Sequence, residues 1–300
     1  MKTPRNYGFA GFLRSAAGMM SWHLRCSSFG DVMDISLVIV LIVLGLCTGF
    51  AAGLLGIGGG MIMVPLFTII FSAHGFPVDH VIHIAIATSL ATIFFTSMSS
   101  VYAHHKRGAI LWGVAFLLIP GVLVGSWVGP MIAANLDTRY LAGLFGVFVI
   151  FSAVKMLRKK KGGSEGTLPN AIGMTAAGVG IGTLSGLVGA GGGFITVPFL
   201  GWRGVSIHNA VATSAVMGFP IALSGTLSNI YHGWDIQNLP AGSLGFIYLP
   251  ALLCVAAASV LSAPFGAKTA HALDVRQLRT IFAYLLLVLA GYMLWKAFSA

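Results

Sequence analysis

The segment Gly53-Leu-Leu-Gly-Ile-Gly-Gly-Gly-Met-Ile-Met-Val-Pro65 recurs 133 positions later as Gly186-Leu-Val-Gly-Ala-Gly-Gly-Gly-Phe-Ile-Thr-Val-Pro198. A run this rich in glycine breaks a helix, since glycine gives up little by leaving the helical conformation. The apolar stretches that follow, 61–72 and 194–202, are too short to cross a bilayer as straight helices. The doubled motif therefore predicts two homologous halves, each with a helix that is interrupted at its glycines.

The composition indicates a membrane protein. Of 300 residues, 57% are hydrophobic and only 8% are charged, whereas soluble chains carry about 25% charged residues. This excludes a soluble globule. Eight apolar runs are long enough to cross about 30 Å of hydrocarbon, and they are 35–57, 81–103, 109–131, 139–157, 171–190, 207–231, 243–265 and 278–297. We predict an all-α polytopic membrane protein with eight full spans plus two short glycine-broken helices.

The repeat sets the domain boundaries. Ala87-Thr88-Ser89 matches Ala212-Thr213-Ser214 at an offset of 125, and Leu136–Arg139 matches Leu273–Arg276 at an offset of 137. We assign residues 1–33 to an N-terminal basic tail, 34–157 to the first transmembrane repeat, 158–169 to a cytoplasmic linker and 170–300 to the second repeat. Met33, which directly precedes the first apolar run, is an alternative start of the native chain.

The relative orientation of the halves depends on how often each half crosses the membrane. Four crossings per half give parallel repeats, and five give inverted repeats. Fourteen Lys and Arg lie near span ends; the parallel arrangement puts nine inside and five outside, the inverted one eleven inside and three outside. Cytoplasmic loops carry an excess of Lys and Arg, so the count favours inverted repeats and leaves parallel repeats open.

The net charge of +10 comes from short basic clusters between apolar runs. Such clusters set membrane topology, and we predict no nucleic-acid partner. The three cysteines, Cys26, Cys47 and Cys254, form no even framework and no metal-ligand spacing. No side-chain arrangement points to catalysis, so we predict no enzyme, no catalytic residue, no metal site and no cofactor.

The glycine-rich segments are the first candidate solute site. A broken helix at membrane depth is tolerated where its backbone is buried in protein or lines an aqueous cavity. The helix that restarts after each break offers N–H groups and a positive dipole end to an anion. Matching breaks in two halves are typical of transporter binding sites. The alternative is that the glycines only permit close helix packing.

A second candidate set follows each break. His83 and His208 stand near the start of matching spans, five residues before Thr88-Ser89 and Thr213-Ser214. On a helix these groups can face one cavity and offer hydroxyl donors and a titratable imidazole. Histidines that are merely satisfied at the membrane interface remain the rival interpretation.

The acidic residues indicate the charge of the solute. Every Asp and Glu after residue 34 falls in a predicted loop, namely Asp79, Asp137, Glu165, Asp235 and Asp274. Cation carriers usually keep a carboxylate within the membrane. The pattern favours an anionic or neutral solute.

The two glycine motifs, each followed by Ala-Thr-Ser, resemble those of the sulfite exporter TauE/SafE family of bacterial permeases, over roughly residues 35–297. The resemblance implies an inner-membrane, multi-pass secondary carrier for sulfite, organosulfonates or organic acids, generally directed outward. It carries the family's pattern onto Gly56, Gly58, Gly59, Gly60, Pro65, Gly189, Gly191, Gly192, Gly193 and Pro198.

We therefore predict an alternating-access anion transporter whose partners are the lipid bilayer and a small anionic solute. The alternative, from another functional class, is a non-transporting membrane scaffold or assembly factor. The sequence leaves open which anion is carried, the direction of transport, the coupling ion and whether the protein is a homodimer.

Overall fold

The computed structural model describes residues 35–55, 59–157, 167–269 and 275–299. The first half forms helices α1 (Ile35–Leu55), α2 (Gly60–Ala73), α3 (Val81–His105), α4 (Trp112–Ala134) and α5 (Thr138–Leu157). The second half forms α6 (Ala171–Val188), α7 (Gly193–Trp202), α8 (Ile207–Gly233), α9 (Leu249–Thr269) and α10 (Val275–Ser299). The predicted tail, most of the linker and Gly56 and Gly58 lie outside the described residues.

The two short helices begin directly after the glycine motifs, as the sequence predicts. Within the described residues, six helices are long and apolar enough to cross a membrane: α1, α3, α4, α6, α8 and α9. The apolar parts of α5 and α10 described here, Thr138–Val154 and Leu286–Phe298, are shorter. The fold is thus all-helical and membrane-spanning, while the count of eight full spans stays a prediction.

One predicted span begins too early. Residues 243–248 form a small antiparallel hairpin, β1 (Ser243–Leu244) with β2 (Ile247–Tyr248), and only then does α9 start. Gly245 turns the hairpin at a φ of 55°, and a side chain there would lie 2.6 Å from the carbonyl oxygen of Ile230. Hydropathy alone did not reveal this turn because Phe246, Ile247 and Tyr248 are all apolar and buried.

Helices α3 and α8 lie at the centre of the fold. They are the most enclosed of the six, with 83% and 72% of their apolar windows buried. They pack against each other; α3 also packs against α9 and α2, and α8 also packs against α4 and α7. The remaining large contacts pair α1 with α9, α6 with α4, and α5 with α10.

The same packing contacts occur twice. A Cβ added to Gly45 in α1 would lie 2.8 Å from the carbonyl oxygen of Val255 in α9, and one added to Gly178 in α6 would lie 2.5 Å from that of Leu118 in α4. The spacings from Gly45 to Gly178 and from Leu118 to Val255 are 133 and 137 residues, the offsets of the sequence repeat. Small residues let membrane helices approach this closely.

The helix bundle has two distinguishable ends. The hairpin end carries the β hairpin and the α4–α5 loop, since His83 at the start of α3 lies 3.1 Å from the Leu136 carbonyl oxygen and stacks on Phe246. The linker end carries the α3–α4 loop and the start of α8, joined where the Leu111 amide donates to the Thr213 hydroxyl. Helix α3 therefore runs from the hairpin end to the linker end.

Candidate functional site

The two glycine breaks meet inside the bundle. Gly60 lies so close to the second break that an added Cβ would be 2.7 Å from the Gly189 carbonyl oxygen and 3.0 Å from the α-carbon of Ala190. The same position would be 2.6 Å from Ile93, which stands midway along α3. The breaks therefore lie near mid-depth, as the binding-site interpretation requires.

Left-handed glycines shape both breaks. Gly59 and Gly192, the residues just before α2 and α7, have φ values of 64° and 73°. Gly189, at the end of α6, has a φ of 73°. Residues with a side chain pay about 1–2 kcal/mol for this conformation. The glycines are thus needed for the chain to change direction here.

The helices that restart after the breaks direct their N-termini into the protein interior. Neither α2 nor α7 has a side-chain cap at its N-terminus. The carbonyl oxygen of Gly192 accepts from the amides of Ile195 and Thr196, but the amides before these have no acceptor within the helix. Together with the positive dipole end, such amides suit an anion.

A cleft extends from the breaks toward the linker end. It encloses about 350 Å³ of space between atoms, including the part open to its surroundings. Its polar side chains are hydroxyls from α3 and α8, and no charged residue lines it. The lining residues are Ala52, Gly53, Ile93, Thr96, Ser97, Ser100, Gly191, Ser214, Ala215, Gly218 and Ala263.

The cleft hydroxyls bond to their own helices. Thr96 donates to the Ile93 carbonyl at 3.3 Å, Ser97 to Phe94 at 3.0 Å and Ser214 to Val211 at 2.8 Å. A hydroxyl proton rotates to suit its surroundings, so each group can turn from its carbonyl to a solute oxygen. In this structure these bonds satisfy the hydroxyls.

Two of the predicted site residues, Thr88 and Thr213, hold the starts of other helices. The Thr88 hydroxyl accepts from the Tyr248 amide at 3.1 Å, just before α9, and the Thr213 hydroxyl accepts from the Leu111 amide at 3.0 Å, just before α4. Neither threonine lines the cleft. The serines that follow these threonines have different positions. Ser214 lines the cleft, whereas Ser89 donates to the Gly189 carbonyl in the second break at 3.0 Å.

The predicted histidines lie at opposite ends of the bundle. His83 is buried at the hairpin end, where its Nε2 lies 3.0 Å from the Ala133 carbonyl oxygen at the end of α4. His208 is exposed near the start of α8, at the linker end. Neither lines the cleft. The structure does not bring the two imidazoles together, and their role in proton coupling stays a prediction.

The remaining predicted residues lie in or next to the breaks. Gly191 lines the cleft, and Gly193 is the first residue of α7. Pro65 and Pro198 both occupy the sixth position of their short helices. Proline removes a helical hydrogen bond and bends the helix, which fits a supporting role behind the breaks rather than a contact with solute.

The described carboxylates all stay outside the bundle. Asp79, Asp137 and Asp235 are exposed in loops. Within the described residues, the interior therefore offers a solute backbone amides and hydroxyls, and no negative charge. This surrounding favours an anion.

Three polar lining residues are not among the residues predicted from the sequence: Thr96, Ser97 and Ser100. A signal was present, because Thr88, Thr92, Thr96 and Ser100 recur every four residues and share one face of α3.

Comparison with known proteins identifies the family. The sequence profile described as sulfite exporter TauE/SafE matches residues 41–293. The chain belongs to this family. A "probable membrane transporter protein" of Haemophilus influenzae is 34% identical over 86% of this chain and 98% of its own length. A protein of the same description from Methanocaldococcus jannaschii is 31% identical over 85% and 94%. No solved structure matches the TauE/SafE chain.

Proposed function

We propose that this membrane transporter moves small anions, such as sulfite, organosulfonates or other organic acids, by alternating access. The observation that carries the proposal is the cleft, which is lined by hydroxyls, bears no charge and ends where the two glycine breaks meet. An anion there would receive hydrogen bonds from hydroxyls and backbone amides and would face two positive dipole ends.

The family name supports the substrate class. Sulfite and sulfonates present several oxygen acceptors around one sulfur, and Thr96, Ser97, Ser100 and Ser214 supply hydroxyl donors. Hydrogen bonds to a charged group are worth about 1.5–3 kcal/mol each. A cleft without lysine or arginine binds an anion weakly enough to release it, which a carrier requires.

We further propose that the halves are inverted repeats. Helix α4 runs from the linker end to the hairpin end, and α6 packs alongside it in the same direction, with Gly121, Gly125 and Gly129 of α4 against successive turns of α6. Helix α9 starts at the hairpin end, and Gly45 and Gly49 of α1 follow α9 in order. The first helices of the two halves, α1 and α6, thus run in opposite directions, which is the signature of inversion.

The charges then orient the transporter. In the inverted arrangement eleven of the fourteen Lys and Arg near span ends belong to the linker end. Because such residues collect on the cytoplasmic side, the linker end faces the cytoplasm and the cleft opens inward. We place the protein in the inner membrane of a bacterium on this ground and on its family.

The test is uptake into proteoliposomes that contain the purified protein. We expect accumulation of at least one labelled anion among sulfite, sulfoacetate, sulfolactate and thiosulfate, well above that of empty liposomes. Gly180→Leu is a matched control, because Gly180 faces open space on α6, and we expect normal flux. Absence of flux for all four anions would refute the proposal and favour the scaffold alternative.

A further inference from the structure

The cleft has a counterpart that is closed. The repeat offsets of 133, 125 and 137 assign each lining residue a partner in the other half. The partner of Gly191 is Gly58, outside the described residues. The other partners, which we call the counterpart set, are Ser185, Gly186, Gly218, Ile221, Ala222, Gly225, Ser89, Leu90, Ile93 and Ser126.

Two members of the counterpart set, Ile93 and Gly218, also line the cleft, and the other members are packed against one another. Every member is buried. Leu90 fills the space over Gly225, where an added Cβ would lie 3.0 Å from the Leu90 Cδ1 atom, and the same Cβ would lie 3.6 Å from the Ser126 carbonyl oxygen. A Cβ on Gly186 would lie 3.2 Å from the Ser126 α-carbon. Apart from Ile93 and Gly218, the residues that correspond to the cleft lining thus form a closed seam.

The seam nevertheless contains three serines. Ser89, Ser126 and Ser185 have no exposed surface. Ser89 and Ser126 donate to the carbonyls of Gly189 and Gly182. These bonds satisfy both hydroxyls, as is usual where serines pack between membrane helices.

Ser185 carries the strongest indication of a ligand. Its hydroxyl is buried and has no hydrogen-bond partner. The Oγ atom lies 3.3 Å from where a Cβ on Gly192 would stand, so it is aimed at the residue that precedes α7. The Thr196 hydroxyl, in the first turn of α7, is likewise buried and unpartnered. Buried hydroxyls are normally hydrogen-bonded. Two unpartnered hydroxyls beside the N-terminus of α7 therefore indicate a ligand site there.

The first break lacks these groups. Ala52 and Met63 stand where the second half has Ser185 and Thr196. The asymmetry implies that the second break contributes side-chain donors while the first contributes backbone alone.

We propose that the counterpart set is the second access pathway of the transporter, closed in this structure, and that it leads an anion from the hairpin end to the second glycine break. Ser185 binds the anion there, and Leu90 closes the pathway by packing on Gly225. This inference rests on the proposed transport function and on the inversion of the halves. If the counterpart set adopted the packing of the cleft lining, and the cleft lining that of the counterpart set, this pathway would open and the cleft would close.

Cysteine accessibility tests the proposal. Single-cysteine variants Ser185→Cys and Leu90→Cys are made in a background that lacks Cys26, Cys47 and Cys254. A membrane-impermeant thiol reagent is added outside right-side-out vesicles, with and without a sulfoacetate gradient. We expect both seam cysteines to be labelled at least tenfold faster than the control Ala153→Cys, which is buried in α5 outside both pathways. We also expect the labelling rate of the seam cysteines to change when sulfoacetate flows.

Cysteines in the cleft should be labelled from the opposite side of the membrane. We expect Ser97→Cys to react fastest from the cytoplasmic side in inside-out vesicles. If Ser185→Cys does not insert, Leu90→Cys carries the same test, because its side chain faces the seam rather than the break. An independent measurement is the pair Leu90→Cys with Gly225→Cys: oxidation should stop sulfoacetate flux, and a reductant should restore it.

The outcomes separate the two proposals. If vesicles transport sulfoacetate while both seam cysteines react only from the cytoplasmic side, or no faster than Ala153→Cys, the second pathway is refuted and transport stands. If the wild-type protein transports none of the four anions in proteoliposomes, the transport function is refuted and the pathway falls with it.

Discussion

Replacing Gly192 by alanine should destabilise the second glycine break. The residue has a φ of 73°, and the new methyl would lie 2.3 Å from the Cδ1 atom of Ile221. The left-handed conformation costs an alanine about 1–2 kcal/mol, and overpacking typically adds about 1–3 kcal/mol. The sum is a loss of about 2–5 kcal/mol, of the same order as the stability of many folded proteins.

Gly180→Ala is the matched control. Gly180 lies in α6, the helix that ends at the second glycine break, and an added Cβ there would have no atom within 4 Å. Alanine is favoured over glycine inside a helix by about 1 kcal/mol, so this variant should be as stable as the wild type or slightly more stable. The difference between the two variants should therefore be about 3–6 kcal/mol.

The assay is thermal unfolding of detergent-purified protein, followed by the fraction that remains monodisperse on size exclusion. We expect a clearly lower midpoint for Gly192→Ala than for Gly180→Ala, and anion flux in liposomes reduced only in the former. Equal midpoints would contradict the packing of Ile221 against the break. Gly59→Leu and Gly192→Leu extend the series: inserted protein without flux supports the binding-site interpretation, and normal flux in both would leave the glycines as packing elements only.

Other predictions use neighbouring residues with different roles. Ser214→Ala removes a cleft hydroxyl and should raise the apparent KM for the anion about tenfold, the equivalent of about 1.4 kcal/mol, with unfolding unchanged; an unaltered KM would remove Ser214 from the site. Thr213→Val leaves the Leu111 amide unpaired and should cost about 1–3 kcal/mol, seen as a lower unfolding midpoint at unchanged KM. For His83→Gln and His208→Gln, we expect the pH profile of flux between about 5 and 8 to change, because an imidazole changes charge in this range; an unchanged profile in both single variants and in the double would assign the histidines to the membrane interface and leave proton coupling without a residue.

The glycine motifs were sufficient to predict the two breaks and the two short helices. Their repetition placed both breaks and both short helices, since a glycine cluster before a 10-to-14-residue apolar stretch admits few other structures. The contact between the breaks could not be predicted, because it depends on the packing of Gly60 against Gly189 across the two halves. Sequence periodicity reports faces within one helix and carries no information on which helices cross.

The threonines show a second limit. Thr88 and Thr213 match in sequence, and that match was interpreted as a solute site, whereas both accept an amide at the start of another helix. A residue repeated in both halves can be repeated because the fold is repeated. The cleft hydroxyls Thr96, Ser97 and Ser100 have Ile221, Ala222 and Gly225 as counterparts, so comparison of the halves could not find them.

Within the repeat, residues that maintain the fold can thus be distinguished from residues that line the cleft. Residues that are alike in the two halves, such as Gly45 and Gly178 or Thr88 and Thr213, make the same contacts twice and maintain the two-fold relation. Residues that differ place hydroxyls on α3 at the cleft and, as Ser126 and Ser185, on α4 and α6 at the closed seam. If the halves were identical, the two pathways would be equivalent and neither state would be preferred. Under the proposed alternating access, sequence divergence at the lining positions would set which side of the membrane the transporter faces without solute, while the shared glycines would keep both states accessible to one chain.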